Sequence, residues 1–159
     1  MNTAFLLIGG NIGNRFHNLE KARSLINQQC GNIIKTSSIY ETAAWGMVQQ
    51  SHFLNQVLSL NTKLSASELL KCILTSEQKM GRIRKQKSGP RIIDIDLLFY
   101  NDDMITEPRL VVPHPRLHLR KFALEPMNEI APHHIHPGFS KTISELLGTC
   151  EDELSVQKL

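Results

Sequence analysis

The sequence predicts an α+β fold, a largely antiparallel sheet with helices packed on it. Three observations carry that expectation. The apolar pattern switches between strand-like and helix-like periods in the order strand, helix, strand, strand, helix, strand. Both helical stretches have N-terminal start signals. The chain of 159 residues, 41% apolar and 21% charged, is long enough to bury a core without support from metals or disulfides. Residues 1–159 are read as one domain.

Thr3 to Ile8 is an apolar run closed by Gly9-Gly10, a buried strand. Asn14 is placed to cap a helix whose apolar positions are Phe16, Leu19, Ala22, Leu25 and Ile26, ending near Gly31. Ile33 to Thr42, rich in Ile, Thr and Tyr, reads as a strand, and Ala43 to Ser51 as a loop. Phe53 to Thr62 reads as the next strand. Ser65 with Glu68 forms a capping box ahead of a helix carrying Leu69, Leu70, Ile73, Leu74, Glu77 and Met80, which stops at Gly81. Ile92 to Tyr100 is a strand, and Asn101-Asp102 turns it toward a short hairpin partner around Met104-Ile105. Arg116 to Leu124 reads as a short helix. Thr142 with Glu145 is a second capping box, before Leu146, Leu147 and Gly148. The first six elements follow the βαββαβ, ferredoxin-like order, with short C-terminal elements after it.

Composition narrows the function classes. No apolar run approaches the ~18 residues a membrane helix needs, and Met1 to Leu7 has no basic n-region, so neither a membrane partner nor a signal peptide is expected. Cys30, Cys72 and Cys150 are odd in number and lack metal spacing, and read as buried or free thiols of a cytoplasmic protein. The net charge is +3, but Arg82, Arg84, Lys85, Lys87 and Arg91 cluster with no acid among them. Without those five, the chain carries 13 basic against 15 acidic residues. Such a protein does not coat nucleic acid; it has one concentrated cationic segment.

The chemistry-bearing feature is Gly89-Pro90-Arg91-Ile92-Ile93-Asp94-Ile95-Asp96-Leu97-Leu98. On a strand Asp94 and Asp96 share one face, while Ile93, Ile95, Leu97 and Phe99 point into the core. Adjacent carboxylates resist ionising together unless a cation sits between them. Hard oxygen ligands suit Mg²⁺, which takes one or two carboxylates plus substrate phosphates. The neighbouring arginines match phosphate geometry, so the combination fits polyphosphate transfer. Gly9-Gly10-Asn11-Ile12-Gly13-Asn14 matches neither a P-loop nor a dinucleotide fingerprint and reads as plain turn geometry, with close backbone approach to a ligand as the alternative. The run His133-His134-Ile135-His136-Pro137 lacks acidic or Cys partners at ligand spacing and reads as a solvated loop. Phe53 and Asn55 share a strand face, where an amide can donate to and accept from a planar heterocycle.

Gly89 to Leu98 resembles the signature of the 6-hydroxymethyl-7,8-dihydropterin pyrophosphokinase family (2-amino-4-hydroxy-6-hydroxymethyldihydropteridine diphosphokinases). Ile8-Gly9-Gly10-Asn11, Phe53-Leu54-Asn55, Gly81 to Lys85, and Val112-Pro113-His114 with Arg120 and Phe122 follow in the family's order. The resemblance implies an α+β fold and transfer of the terminal pyrophosphate of ATP to the pterin hydroxymethyl group, giving AMP and the pterin diphosphate in tetrahydrofolate biosynthesis. It implies that Asp94 and Asp96 hold two Mg²⁺ ions and that Arg82 and Arg91 act in catalysis on the phosphates. Arg84, Leu97, Arg109, His114 and Arg120 become further ATP contacts. Phe53 and Phe122 become the walls around the pterin, with Asn55, Thr42, Ala43, Trp45 and Gly46 at its edge. A monomer acting on ATP and the dihydropterin, with no nucleic-acid partner, is expected. Ser88, Pro115 and Leu74 depart from residues common in the family.

Two other readings are available. Nucleotidyl transfer also uses two carboxylates and Mg²⁺, but releases pyrophosphate rather than AMP. RNA-recognition domains share the ferredoxin-like order, but Asp94 and Asp96 would repel a phosphate backbone. The segment Gly81 to Pro90, rich in like charge and poor in apolar residues, is expected to act as a lid over MgATP.

Overall fold

A computed structural model describes residues 1–43, 51–82 and 90–159. The chain runs through β1 (Asn2–Gly10), α1 (Arg15–Gln29), β2 (Asn32–Thr36), β3 (Tyr40–Thr42), β4 (Phe53–Thr62), α2 (Ala66–Lys79) and β5 (Asp94–Tyr100). Then come β6 (Ile105–Glu107), β7 (Leu110–Val112), a 3₁₀ turn at Leu117–Leu119, α3 (Lys121–Ile130), β8 (Ile135–His136), β9 (Lys141–Thr142), α4 (Ile143–Gly148) and β10 (Val156–Lys158). The main sheet has the order β10-β3-β4-β1-β5, with β2 also beside β4, and its pairings are antiparallel. The α+β architecture is the expected one.

The sheet is buried on both faces, which explains why β1 reads as a continuous apolar run rather than an alternating one. Ala4, Leu6 and Ile8 face a layer with Leu19 and Ile26 of α1 and Leu69 and Ile73 of α2. Phe5 and Leu7 face a second layer with Leu124 and Met127 of α3 and Ile143 of α4. The start signals act as expected. Asn14 accepts from the His17 amide, and both capping boxes, Ser65/Glu68 and Thr142/Glu145, are closed in both directions. Gly81 ends α2 with a φ of +87°, a conformation that favours glycine.

Several expectations are corrected. Phe16 is 50% exposed, and α1 buries only Leu19, Ala22 and Ile26 of its apolar stripe. The expected strand Ile33 to Thr42 is two strands. Ser37 separates them, and its hydroxyl accepts the Val57 amide that a continuous strand would pair through a carbonyl. A register shift between Phe5 and Leu6 places Leu98 in a bulge, so Phe99 joins the second layer instead of sharing the face of Ile95 and Leu97. The β6 strand pairs with β7, not with β5. The helix expected from Arg116 breaks at Arg120, restarts at Lys121 and runs to Ile130.

The reading of all three cysteines as unpaired thiols is overturned for two of them. Cys30, at the C-terminus of α1, and Cys72 of α2 form a disulfide with a Cα–Cα distance of 5.9 Å, and Cys150 is free. The bridge joins neighbouring helices across 42 residues of sequence, a relationship that spacing rules do not detect. The histidine run is not a solvated loop either. His136 is buried, and the rings of His134 and His136 lie 4.4 and 5.7 Å from that of Phe99. Among the described residues no helix is long and apolar enough to cross a membrane.

Candidate active site

Three neighbouring strands deliver the site. Gly9 of β1 sits opposite Asn55 of β4 on one side and Asp94 of β5 on the other. A side chain at Gly9 would collide with Asn55 Oδ1 and the Leu54 carbonyl, and one at Gly10 with the Ile92 carbonyl. The two glycines are therefore strand residues that let these neighbours close in. The turn falls at Gly13, whose φ is +70°.

Beside these strand ends lies a cavity of about 460 Å³, within the size range of small-molecule sites. Its lining joins Thr42 and Ala43 at the end of β3, Phe53 and Asn55 of β4, Asp94 and Asp96 of β5, and Arg91. Arg116, Leu119, Arg120 and Phe122 close it from the start of α3. Each of its two aromatic rings has a guanidinium over it: Arg91 stands 5.2 Å from the Phe53 centroid and Arg120 5.6 Å from that of Phe122. Thr42 Oγ1 is buried with no hydrogen-bond partner among the described residues, an opening for a ligand's polar edge.

The two carboxylates differ in their surroundings. Asp94 accepts from Arg82 at 2.5 Å on one oxygen and from Arg91 at 3.0 Å on the other. Burial would raise its pKa, but the two arginines, Arg82 foremost, outweigh burial and hold its carboxyl below the usual range. Asp96 accepts no hydrogen bond among the described residues. Burial, and then the adjacent Asp94 charge, push it up to about 7. A carboxylate pair neutralised on one side only, with hard oxygen donors facing a cavity, fits a divalent cation such as Mg²⁺. His114 is pushed down to about 4 by burial and then by Arg120, so it is a neutral imidazole at physiological pH.

Glu77 completes this network, and the sequence reading did not assign it a role. It is 2% exposed on α2, and its Oε2 accepts from Arg82 at 3.0 Å and from the Ile95 amide at 2.8 Å. The available signal was its place on the apolar stripe of the helix, four residues after Ile73: a charge on a buried face needs a partner. Arg116 and Leu119 were also not foreseen, since nothing in their local sequence marks them.

The structure gathers Thr42, Ala43, Phe53, Asn55, Arg91, Asp94, Asp96, Arg120 and Phe122 around one cavity, with Arg82 bound to Asp94. Leu97 is buried in the first core layer, so its side chain does not line the cavity. Arg109 is exposed in the turn between β6 and β7 and is not among the residues that line the cavity. His114 donates its amide to Leu98 and stands next to the lining rather than in it. Trp45, Gly46, Arg84 and most of the expected lid lie outside the described residues.

Residues 5–132 match the family model described as 7,8-dihydro-6-hydroxymethylpterin-pyrophosphokinase (HPPK). The chain belongs to this family. A 2-amino-4-hydroxy-6-hydroxymethyldihydropteridine pyrophosphokinase from Aquifex aeolicus is 42% identical over 145 residues, covering 91% of this chain and 90% of the relative. One of the same description from Bacillus subtilis is 40% identical, covering 81% and 78%. The Folic acid synthesis protein FOL1 of Dictyostelium discoideum is 36% identical over 91% of this chain, which spans only 22% of that protein. Wild-type Plasmodium falciparum HPPK-DHPS shares the fold with a TM-score of 0.78 at 20% identity, over 92% of this chain and 44% of the solved one. The chain is a pyrophosphokinase of folate biosynthesis, and its Asp94-Asp96 strand lies within the matched residues.

Proposed function

We propose that this cavity holds 6-hydroxymethyl-7,8-dihydropterin between Phe53 and Phe122 and that the terminal pyrophosphate of ATP is transferred to it there. Asp94 and Asp96 hold two Mg²⁺ ions in this reading. The observation that carries it is an arginine-bound Asp94 next to an Asp96 that has no hydrogen-bond or ion-pair partner among the described residues, beside a cavity lined by those two rings. A cavity lined by both rings suits a flat, polar-edged heterocycle, with the Asn55 amide and Thr42 Oγ1 at its edge. Arg82 and Arg91 bind the triphosphate, with Arg120 and the neutral His114 as further nucleotide contacts. Bound Mg²⁺ neutralises charge on the phosphate oxygens.

In the reaction the pterin hydroxyl oxygen bonds to the β-phosphorus, and the bond from that phosphorus to the oxygen bridging the α-phosphate breaks. AMP leaves with the bridging oxygen, and the hydroxyl proton is released. Arg82 and Arg91 meet the charge that spreads over the transferring group, and the ring stack fixes the attacking oxygen. Residues 1–159 act as one pyrophosphokinase domain and as a monomer, with both core layers sharing one sheet. The reaction belongs in the cytoplasm with its ATP.

The test is to mix protein, MgATP and 6-hydroxymethyl-7,8-dihydropterin and to separate the products. AMP with pterin diphosphate supports the reading, whereas inorganic pyrophosphate would point to nucleotidyl transfer. Loss of turnover in Asp94→Asn and Asp96→Asn would support the metal assignment.

A further inference from the structure

We propose that Asp152, in the C-terminal segment, is a positioning residue that fixes the wall carrying Phe122. This rests on the reading of Phe122 as a pterin contact. The α3 helix lacks its own cap: Arg120, at its N-cap position, makes no side-chain cap, and its first turn holds no acid. The cap comes instead from 31 residues later in the chain. Asp152 Oδ2 accepts the Lys121 amide at 3.0 Å, and its Oδ1 accepts the Leu154 amide at 3.0 Å. Phe122 is the second residue of this helix and Arg120 immediately precedes it, so both cavity-lining groups stand on the turn that frays when a cap is lost.

The same segment fastens the opposite wall. Two residues after Leu154 it adds β10 to the edge of β3, with Val156 opposite Thr42. Lys158 lies 3.9 Å from Glu129 of α3, and Glu129 in turn accepts from the Tyr40 hydroxyl of β3 at 2.6 Å. The seven residues from Asp152 to Lys158 thus tie the helix start that bears Phe122 to the strand end that bears Thr42 and Ala43. Asp152 lies beyond residues 5–132, which the family model matches.

The experiment measures KM for the dihydropterin and for ATP separately in the full-length protein. Asp152→Ala is expected to raise the pterin KM about fivefold, the size of a lost cap, and the ATP KM clearly less, because the nucleotide keeps its Arg82 and Arg91 contacts when Arg120 shifts. Added to Phe122→Ala, it should raise the pterin KM little further, because a residue acting through Phe122 has nothing left to position. Equal rises in both KM values, no rise, or full additivity with Phe122→Ala would overturn the proposal. If Asp152→Ala does not fold, Asp152→Asn carries the test. It keeps one of two acceptor oxygens, and about a twofold rise in pterin KM is expected; no rise overturns the proposal. Phe122→Ala with an unchanged pterin KM would instead overturn the assignment of the wall itself.

Discussion

Arg82 and Asp94 are held together by a 2.5 Å contact, and the same guanidinium nitrogen also donates to Glu77 and to the Ile93 carbonyl. With Arg91, the arginine supplies the positive charge that Asp94 needs. A divalent cation at Asp94 must therefore compete with a guanidinium, and an arginine released from Asp94 is free to meet a phosphate.

That competition predicts opposite effects on binding and turnover. Arg82→Ala should tighten Mg²⁺ binding to the nucleotide-free protein by roughly threefold to tenfold, because Asp94 loses a neutralising partner. The same change should lower kcat by about two orders of magnitude, as expected when a charge aimed at the transferring group is removed. Calorimetric titration with Mg²⁺ alone, beside steady-state kinetics, separates the two. Unchanged or weaker Mg²⁺ binding in Arg82→Ala would show that the arginine and the metal do not compete.

Glu77 should matter to stability as well as to the site. Glu77→Ala leaves the buried Ile95 amide without its acceptor and Arg82 with Asp94 and the Ile93 carbonyl, a loss of about 1–3 kcal/mol for an unsatisfied buried donor. Glu77→Gln keeps an acceptor for the Ile95 amide and should lose less. Chemical denaturation of the two variants tests the order, and equal destabilisation would mean that the charge, not the hydrogen bond to β5, is what Glu77 provides.

The placement of these residues shows where sequence reasoning reached and where it stopped. Asp94 and Asp96 were legible because a strand's two-residue period fixes their common face within one short segment. Asn14, Ser65 and Thr142 were legible for a similar reason, since a cap and its partner lie three residues apart. Phe99 was misassigned because a bulge shifts the strand period by one, and nothing in the residues around Leu98 announces it. Glu77, Asp152 and the Cys30–Cys72 pair act across 18, 31 and 42 residues of sequence, on partners whose position only folding defines. The single hint was a carboxylate on an apolar helix face. His134 and His136 were misread because a polar run looks solvated unless the aromatic rings that cover it, Phe5 and Phe99, are known to be nearby.

Asp96 predicts a conflict between stability and function. Its folded pKa, pushed up to about 7, lies above the ordinary carboxylate value, so the native state binds the proton more tightly than the unfolded chain does. Stability from this group is full below about pH 4 and is lost as pH rises through about 7. Asp96→Asn removes that loss. At pH 8 the metal-free variant should melt several degrees above wild type, on the order of a few kcal/mol, while turnover nearly vanishes. A thermal melt in EDTA beside an activity assay checks both halves. A variant less stable than wild type would mean that another group compensates Asp96 in the free protein.

The histidines of the second core layer titrate in the opposite sense. The His134 ring lies 5.1 Å from Phe5 and 4.4 Å from Phe99, and its Nε2 is buried without a partner among the described residues. His136 is buried against Phe99 and Phe139, with Nδ1 accepting from the Gly138 and Phe139 amides. Burial is the first cause that lowers both pKa values; Asp102 opposes it at His134. With the folded pKa below the unfolded value of about 6.5, the unfolded chain takes up protons first. The stability these rings contribute is therefore full above about pH 6.5 and is lost as pH falls below it. His134→Phe keeps the aromatic packing and cannot protonate. Its fall in melting temperature as pH drops below about 6.5 should be smaller than that of wild type, with His114 and His136 accounting for what remains. An undiminished fall in His134→Phe would place the acid sensitivity elsewhere in the molecule.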